Sequence, residues 1–247
     1  MKSQSGFLAV LLLYLLPLAM SLLMTLFVLK AWLAPQEEAL QICRSGLIRT
    51  LHKTGLHIQE LLQLNSQVEL LRQQKRIAIM EMEAAVLGGN TAVAAMIQGQ
   101  LDSILAEQKT LSLLQKEKLI SAQIQLDTDE KKVENRIHQA FDETIHRYKD
   151  YFIFKAALLP HIPSSLALRE IPPPDGGPPI YEPESNFSEK QTVHVNWISS
   201  LHSPQKGQNR WLSPFFEKKE GCAVSLQPQG KRLVPVLKEV RSSSNSS

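Results

Sequence analysis

Val86-Leu87-Gly88-Gly89-Asn90-Thr91-Ala92 is the stretch that decides the fold. Glycine and asparagine accept left-handed backbone at little cost, so Gly88, Gly89 and Asn90 stop a helix there. Thr91 is a plausible cap for a new one. On the amino-terminal side there is no proline from Gln36 to Leu87. The series Leu40, Cys43, Leu47, Leu51, Thr54, Ile58, Leu61, Asn65, Val68, Arg72, Lys75, Ile79, Met82, Val86 alternates three and four spacings and is mostly apolar. That is a coiled-coil-like stripe. On the carboxyl-terminal side a second stripe runs Ile97, Leu101, Ile104, Gln108, Leu111, Gln115, Leu119, Ala122, Leu126, Glu130, Val133, Ile137, Phe141, Ile145, Tyr148, Phe152. Neither helix buries its stripe alone, so the two are expected to pack antiparallel as a hairpin over 36–159. Pairing about the turn sets Gln36 opposite Asp142 in a rod of about 75 Å. The aromatic segment Tyr148–Leu159 then falls at or beyond the point where the rod began. It reads as an interfacial helix or as packing under the distal domain, and equally as the ordinary amphipathic end of the second helix.

Working back from the hairpin, the run Phe7–Leu29 carries no charge. As helix at about 1.5 Å per residue it crosses a hydrocarbon core of roughly 30 Å. Lys30 and Trp32 follow as headgroup anchors, and Lys30-Ala-Trp-Leu-Ala-Pro35 is a poor cleavage site. The run exceeds the ~7–15 residue core of a secretory signal, so a retained transmembrane helix over 7–33 is expected after a short leader at 1–6. Ser21 and Thr25 can bond backbone carbonyls within it. Pro17 predicts a kink, and Pro35 a break between anchor and hairpin. The amino terminus and Lys2 before the run nearly balance Lys30, Arg44 and Arg49 after it, so charge leaves the orientation open.

Working forward, Pro160 and Pro163 end the helical pattern. The stretch 160–185 contains Ile171-Pro-Pro-Pro-Asp-Gly-Gly-Pro-Pro-Ile180, which is spacer composition. Beyond it the period becomes two. Gln191–Ile198, Cys222–Leu226 and Leu233–Val240 are strand candidates within a small module at 186–241, with Gln227–Gly230 as a tight turn. Pro235 assigns the last strand to an edge. The tail 242–247 is polar. The fold class expected is therefore mainly α: a transmembrane helix, a long helical hairpin and a small antiparallel β module.

The only cysteines are Cys43 and Cys222. They would suit one disulfide in an exported domain, where three short strands need a staple. Two separate buried thiols fit the sequence equally. A net charge of +3 is too small and dispersed for a nucleic-acid partner. His52 and His57 are five apart and do not share a helix face as a metal pair would. No HExxH, GxSxG or phosphate-binding loop is present, and Gly88–Asn90 follows no strand. No catalytic residue, cofactor or metal site is expected. Asn186-Phe-Ser matches a glycosylation sequon of a kind common by chance.

Lys2 and Gly6-Phe7 ahead of the uncharged helix, with Cys43-Arg-Ser-Gly46 leading into Leu61-Leu-Gln-Leu-Asn65, resemble the amino-terminal plan of type IV pilin-like proteins. In layout the chain is similar to the TadE/TadG-like pseudopilins of tight-adherence (Flp-type) pilus systems, over about residues 1–75. The resemblance implies peptidase cleavage between Gly6 and Phe7, and a helix that packs with other subunits. It also implies an inner-membrane anchor with the bulk of the chain periplasmic or extracellular. Partners would be membrane lipid and other envelope or pilus subunits, with homo-oligomers allowed. Such chains commonly carry Glu at the position of Leu11, where it pairs with a neighbour's amino terminus. Leu11 points to a non-polymerising, tip or assembly-platform component, or to a chain that the peptidase does not cut. The alternative is a different protein class, a bitopic coiled-coil spacer or adaptor working through its Gly88–Asn90 tip.

Overall fold

A computed structural model of the chain describes residues 4–160, 163–174, 176–202, 217–230 and 232–238. Its frame is two long helices, α1 (Gln4–Leu87) and α2 (Thr91–Tyr148). Most of the two apolar stripes lie inside: Cys43, Leu47, Leu51, Ile58, Leu61 and Val68 on α1 face Leu111, Ala122, Leu126, Val133 and Ile137 on α2 as a buried seam. The expected pairing holds, with Gly46 against Val133 and Glu60 ion-paired to Lys118 at 2.7 Å.

The turn is built as its residues dictate. Gly89 takes φ +72°. Its N–H reaches Val86 O at 3.1 Å, while the N–H of Asn90 reaches Ala85 O at 3.0 Å. This left-handed cap satisfies carbonyls that the helix end would orphan. Asn90, not Thr91, caps α2, because its Oδ1 accepts from the N–H of Val93 at 3.2 Å.

Three expectations are corrected. First, α1 continues through Pro35, with no break between the apolar run and the hairpin. A helical proline costs about 3 kcal/mol. Around Pro35 that cost is opposed by burial on both sides, of Ala31, Trp32, Gln36 and Ala39. Second, α2 stops at Tyr148, and the segment expected to prolong it forms β1 (Ile153–Leu158). Third, the expected spacer carries a hairpin of β2 (Leu168–Ile171) and β3 (Ile180–Pro183), in which Arg169 stands opposite Glu182.

A short α3 (Phe187–Lys190) buries Phe187 and leads into β4 (Thr192–His202), β5 (Glu217–Gln229) and β6 (Arg232–Lys238). The sheet is antiparallel in the order β1-β4-β5-β6, so a fourth strand joins the three expected, and β6 with Pro235 is an edge. The β5–β6 turn falls at Gly230, φ +62°, and the strands pair up to Gln229 and Arg232. The expected end of the last strand at Val240, the tail 242–247 and the start of the leader lie outside the described residues. Val193, Val195 and Trp197 alternate into the core as the period-two pattern requires. There they join Trp32, Leu47, Leu51, Leu126, Ile137 and Phe141, so sheet and hairpin base share one core.

Candidate interaction surfaces

The two cysteines form a disulfide, Cys43 on α1 to Cys222 on β5, with Cα atoms 6.2 Å apart. Both are buried, at 0% and 3% exposure. Cys222 stands opposite Val195 in the β4–β5 ladder, so the bond ties the centre of the sheet to the buried stripe of α1. It closes a sequence separation of 179 residues. Nearby, Gly55 admits the sheet: a Cβ there would stand 3.2 Å from Leu226 Cδ1.

Three polar interruptions in the two stripes, Asn65, Arg72 and Gln115, have a shared task. Asn65 donates to Tyr181 O at 2.7 Å and accepts from the N–H of Tyr181 at 3.1 Å. Arg72 donates to Pro178 O at 2.8 Å, and Gln115 to Pro179 O at 3.2 Å. The proline stretch has carbonyls to satisfy and few donors of its own. The helices supply the donors, and Ile180 packs against the small core of Val68, Leu71 and Leu111. The sequence marked these positions only as flaws in periodicity.

A shallow groove of about 200 Å³ opens between the helices, lined by Gly46, Arg49, Thr50, Lys53, Asp129, Lys132, Val133 and Arg136. Asp129 sits at its floor, 7% exposed. It accepts from Lys53 at 3.1 Å, Gln125 at 2.7 Å and Lys132 at 3.0 Å. Burial opposes its ionisation, but those three hydrogen bonds outweigh burial and hold the carboxyl below its ordinary range.

An aromatic series runs from the apolar end of α1 into the core. Phe27 lies 6.0 Å from Tyr148, 6.1 Å from Tyr151 and 6.2 Å from Phe152, centroid to centroid. Trp32 lies 6.0 Å from Phe154, which is 6.0 Å from Phe141, itself 6.2 Å from Trp197. These are offset and edge-on pairings of the kind aromatic rings favour.

Because the stripes pack against each other, other faces are left for partners. Leu12, Leu16, Leu23 and Leu26 of the apolar run are exposed throughout, and one N-terminal helix is long and apolar enough to be a candidate span. On the hairpin, Leu56, Leu70 and Ile77 of α1 and Leu113, Ile120 and Ile124 of α2 point outward. Gly88, Gly89 and Asn90 are exposed at the tip. Gly6 and Phe7 lie within α1 near its start. No group of His, Cys, Asp and Glu able to hold a metal occurs among the described residues. Comparison with family models, curated proteins and solved structures finds no match.

Proposed function

We propose that this chain is a non-enzymatic, membrane-anchored structural component of an envelope pilus or secretion machine, of the pseudopilin-like kind. The observation that carries the reading is α1 itself, a single 84-residue helix that is apolar at one end and the spine of the folded domain at the other. A filament or platform subunit needs that construction, because a force on the folded domain passes to the membrane helix without a flexible joint. Gly6-Phe7 at the head of the run supports cleavage there. The Cys43–Cys222 bond supports export of the bulk of the chain from an inner-membrane anchor into an oxidising space. Assembly would proceed through helix packing along the run and through the outward rows of the hairpin. Mass spectrometry of the amino terminus of membrane-extracted protein tests the reading. A mature chain beginning at Phe7 is expected, and an intact Met1 removes pilin-type processing.

The alternative is a bitopic spacer or adaptor of another envelope complex, in which α1 is only a tether. Leu11 in place of Glu favours it, as does an exposed hairpin tip carried well beyond the β2–β3 hairpin. A spacer keeps Met1 and loses its partner when Gly88–Asn90 is altered.

A further inference from the structure

We propose that the turn from Tyr148 to Ile153 is a second membrane contact, seated in the headgroup layer of the leaflet through which α1 leaves the bilayer. The inference rests on reading the run Phe7–Leu29 as a transmembrane span.

Its basis is depth. Phe27 stands two residues before Leu29, where the uncharged run ends, and Lys30 follows. The rings of Tyr148, Tyr151 and Phe152 pack on Phe27 at 6.0 to 6.2 Å. They therefore lie beside the last turn of the run, where Phe27 precedes Lys30 by about 4.5 Å at 1.5 Å per residue. A folded domain clear of the membrane would not reach back past the first charged residue of its own tether.

The chemistry of the turn suits that depth. Tyr151 is 60% exposed and Ile153 43% exposed, although both sit beside a well-packed core. A tyrosine that presents an apolar body and a polar tip belongs at a membrane–water boundary. Around the turn, Lys30, Arg147, Lys149 and Lys155 are exposed, with Asp150 the acid within the turn. Cations at that height face lipid phosphates and are drawn to anionic headgroups. The occupant of this surface is thus a phospholipid interface containing anionic lipid. Two attachments, α1 and the turn, prevent the domain from rolling about the α1 axis. Trp32 against Phe154 passes that constraint into the core.

The test uses the full, oxidised chain in nanodiscs of phosphatidylcholine and phosphatidylglycerol. Single cysteines replace Tyr151, Ile153, Leu16 in the apolar run, or Leu113 on the outer face of α2. Each is labelled with a nitrobenzoxadiazole dye and quenched with a mixture of lipids brominated near the headgroup end and near the tail end of their acyl chains. Labels at 151 and 153 are expected to emit to the blue of the label at 113 and to lose intensity to the brominated lipid, as the label at 16 does. If 16 is quenched while 151 and 153 behave like 113, the turn is not a membrane contact. If 16 also behaves like 113, the span itself is absent and the inference falls with it.

Discussion

Gly46 shows how single residues set the separation of the two helices. A Cβ at this position would stand 2.5 Å from Val133 Cγ2, closer than real contacts allow. Gly46→Leu is expected to lose about 1–3 kcal/mol by overpacking, read as a lowered urea midpoint. Val133→Ala in the same chain should recover part of the loss, since the two sites are in contact. Asp129 is the other decisive residue. Its carboxyl is held ionised by Lys53, Lys132 and Gln125, so its folded pKa lies below its unfolded value. The stability it contributes is full above the ordinary carboxylate pKa of about 4 and is lost as pH falls through the folded value. Asp129→Asn should therefore cost about 1 kcal/mol at pH 7. The gap between variant and parent in denaturant unfolding should close at strongly acidic pH, and a gap that persists there would contradict the ion-pair account.

At the scale of elements, the β2–β3 hairpin depends on the helices beneath it. A two-stranded hairpin is marginal in water. This one is held by Asn65, Arg72 and Gln115 and by Ile180 against Val68 and Leu111. Asn65→Ala strands both the N–H and the C=O of Tyr181, a cost of about 1–3 kcal/mol per unsatisfied group. Proteolysis within 168–183 is expected to accelerate while α1 and α2 stay protected, and unchanged cleavage would show that the prolines hold the segment unaided. The sequence offered this hairpin no signal. Its strands are four residues each, and its prolines have the composition of a spacer. Strand β1 was hidden differently. Phe154, Ala156 and Leu158 fit a period of two, yet Tyr148 and Phe152 continue the helical stripe as well. Pairing with β4, Ile153 to His202 through Leu158 to Trp197, is what separates the readings.

For the whole molecule, the disulfide joins parts that the chain keeps far apart. Restraining a loop of this length is worth about 2–5 kcal/mol to the folded state. Cys43→Ser with Cys222→Ser is expected to lower the thermal midpoint and to loosen the sheet. Far-UV helicity should largely survive, because α1 and α2 keep their own seam and the separate core around Leu111. Collapse of helicity in the double variant would instead make the bond a condition of folding. The sheet does not stand apart as a distal module. It leans on the half of the hairpin next to the apolar run, through Trp197 on Phe141 and Leu226 beside Gly55.

Periodicity and turn chemistry are local properties, and they determined what is local here: the uncharged run, the two amphipathic helices, the Gly88–Asn90 turn and the alternation through Val193, Val195 and Trp197. Antiparallel pairing of the helices followed, since a three-residue connection leaves few other ways to bury two stripes. Tertiary structure decided the rest. Whether Pro35 breaks a helix depends on what Ala31, Trp32, Gln36 and Ala39 bury against. Whether Asn65, Arg72 and Gln115 are defects or hydrogen-bond donors depends on a segment more than sixty residues further along the chain. Whether Cys43 meets Cys222 depends on where the sheet comes to rest. These outcomes turn on contacts between distant segments, whose free energy no window of neighbouring residues contains.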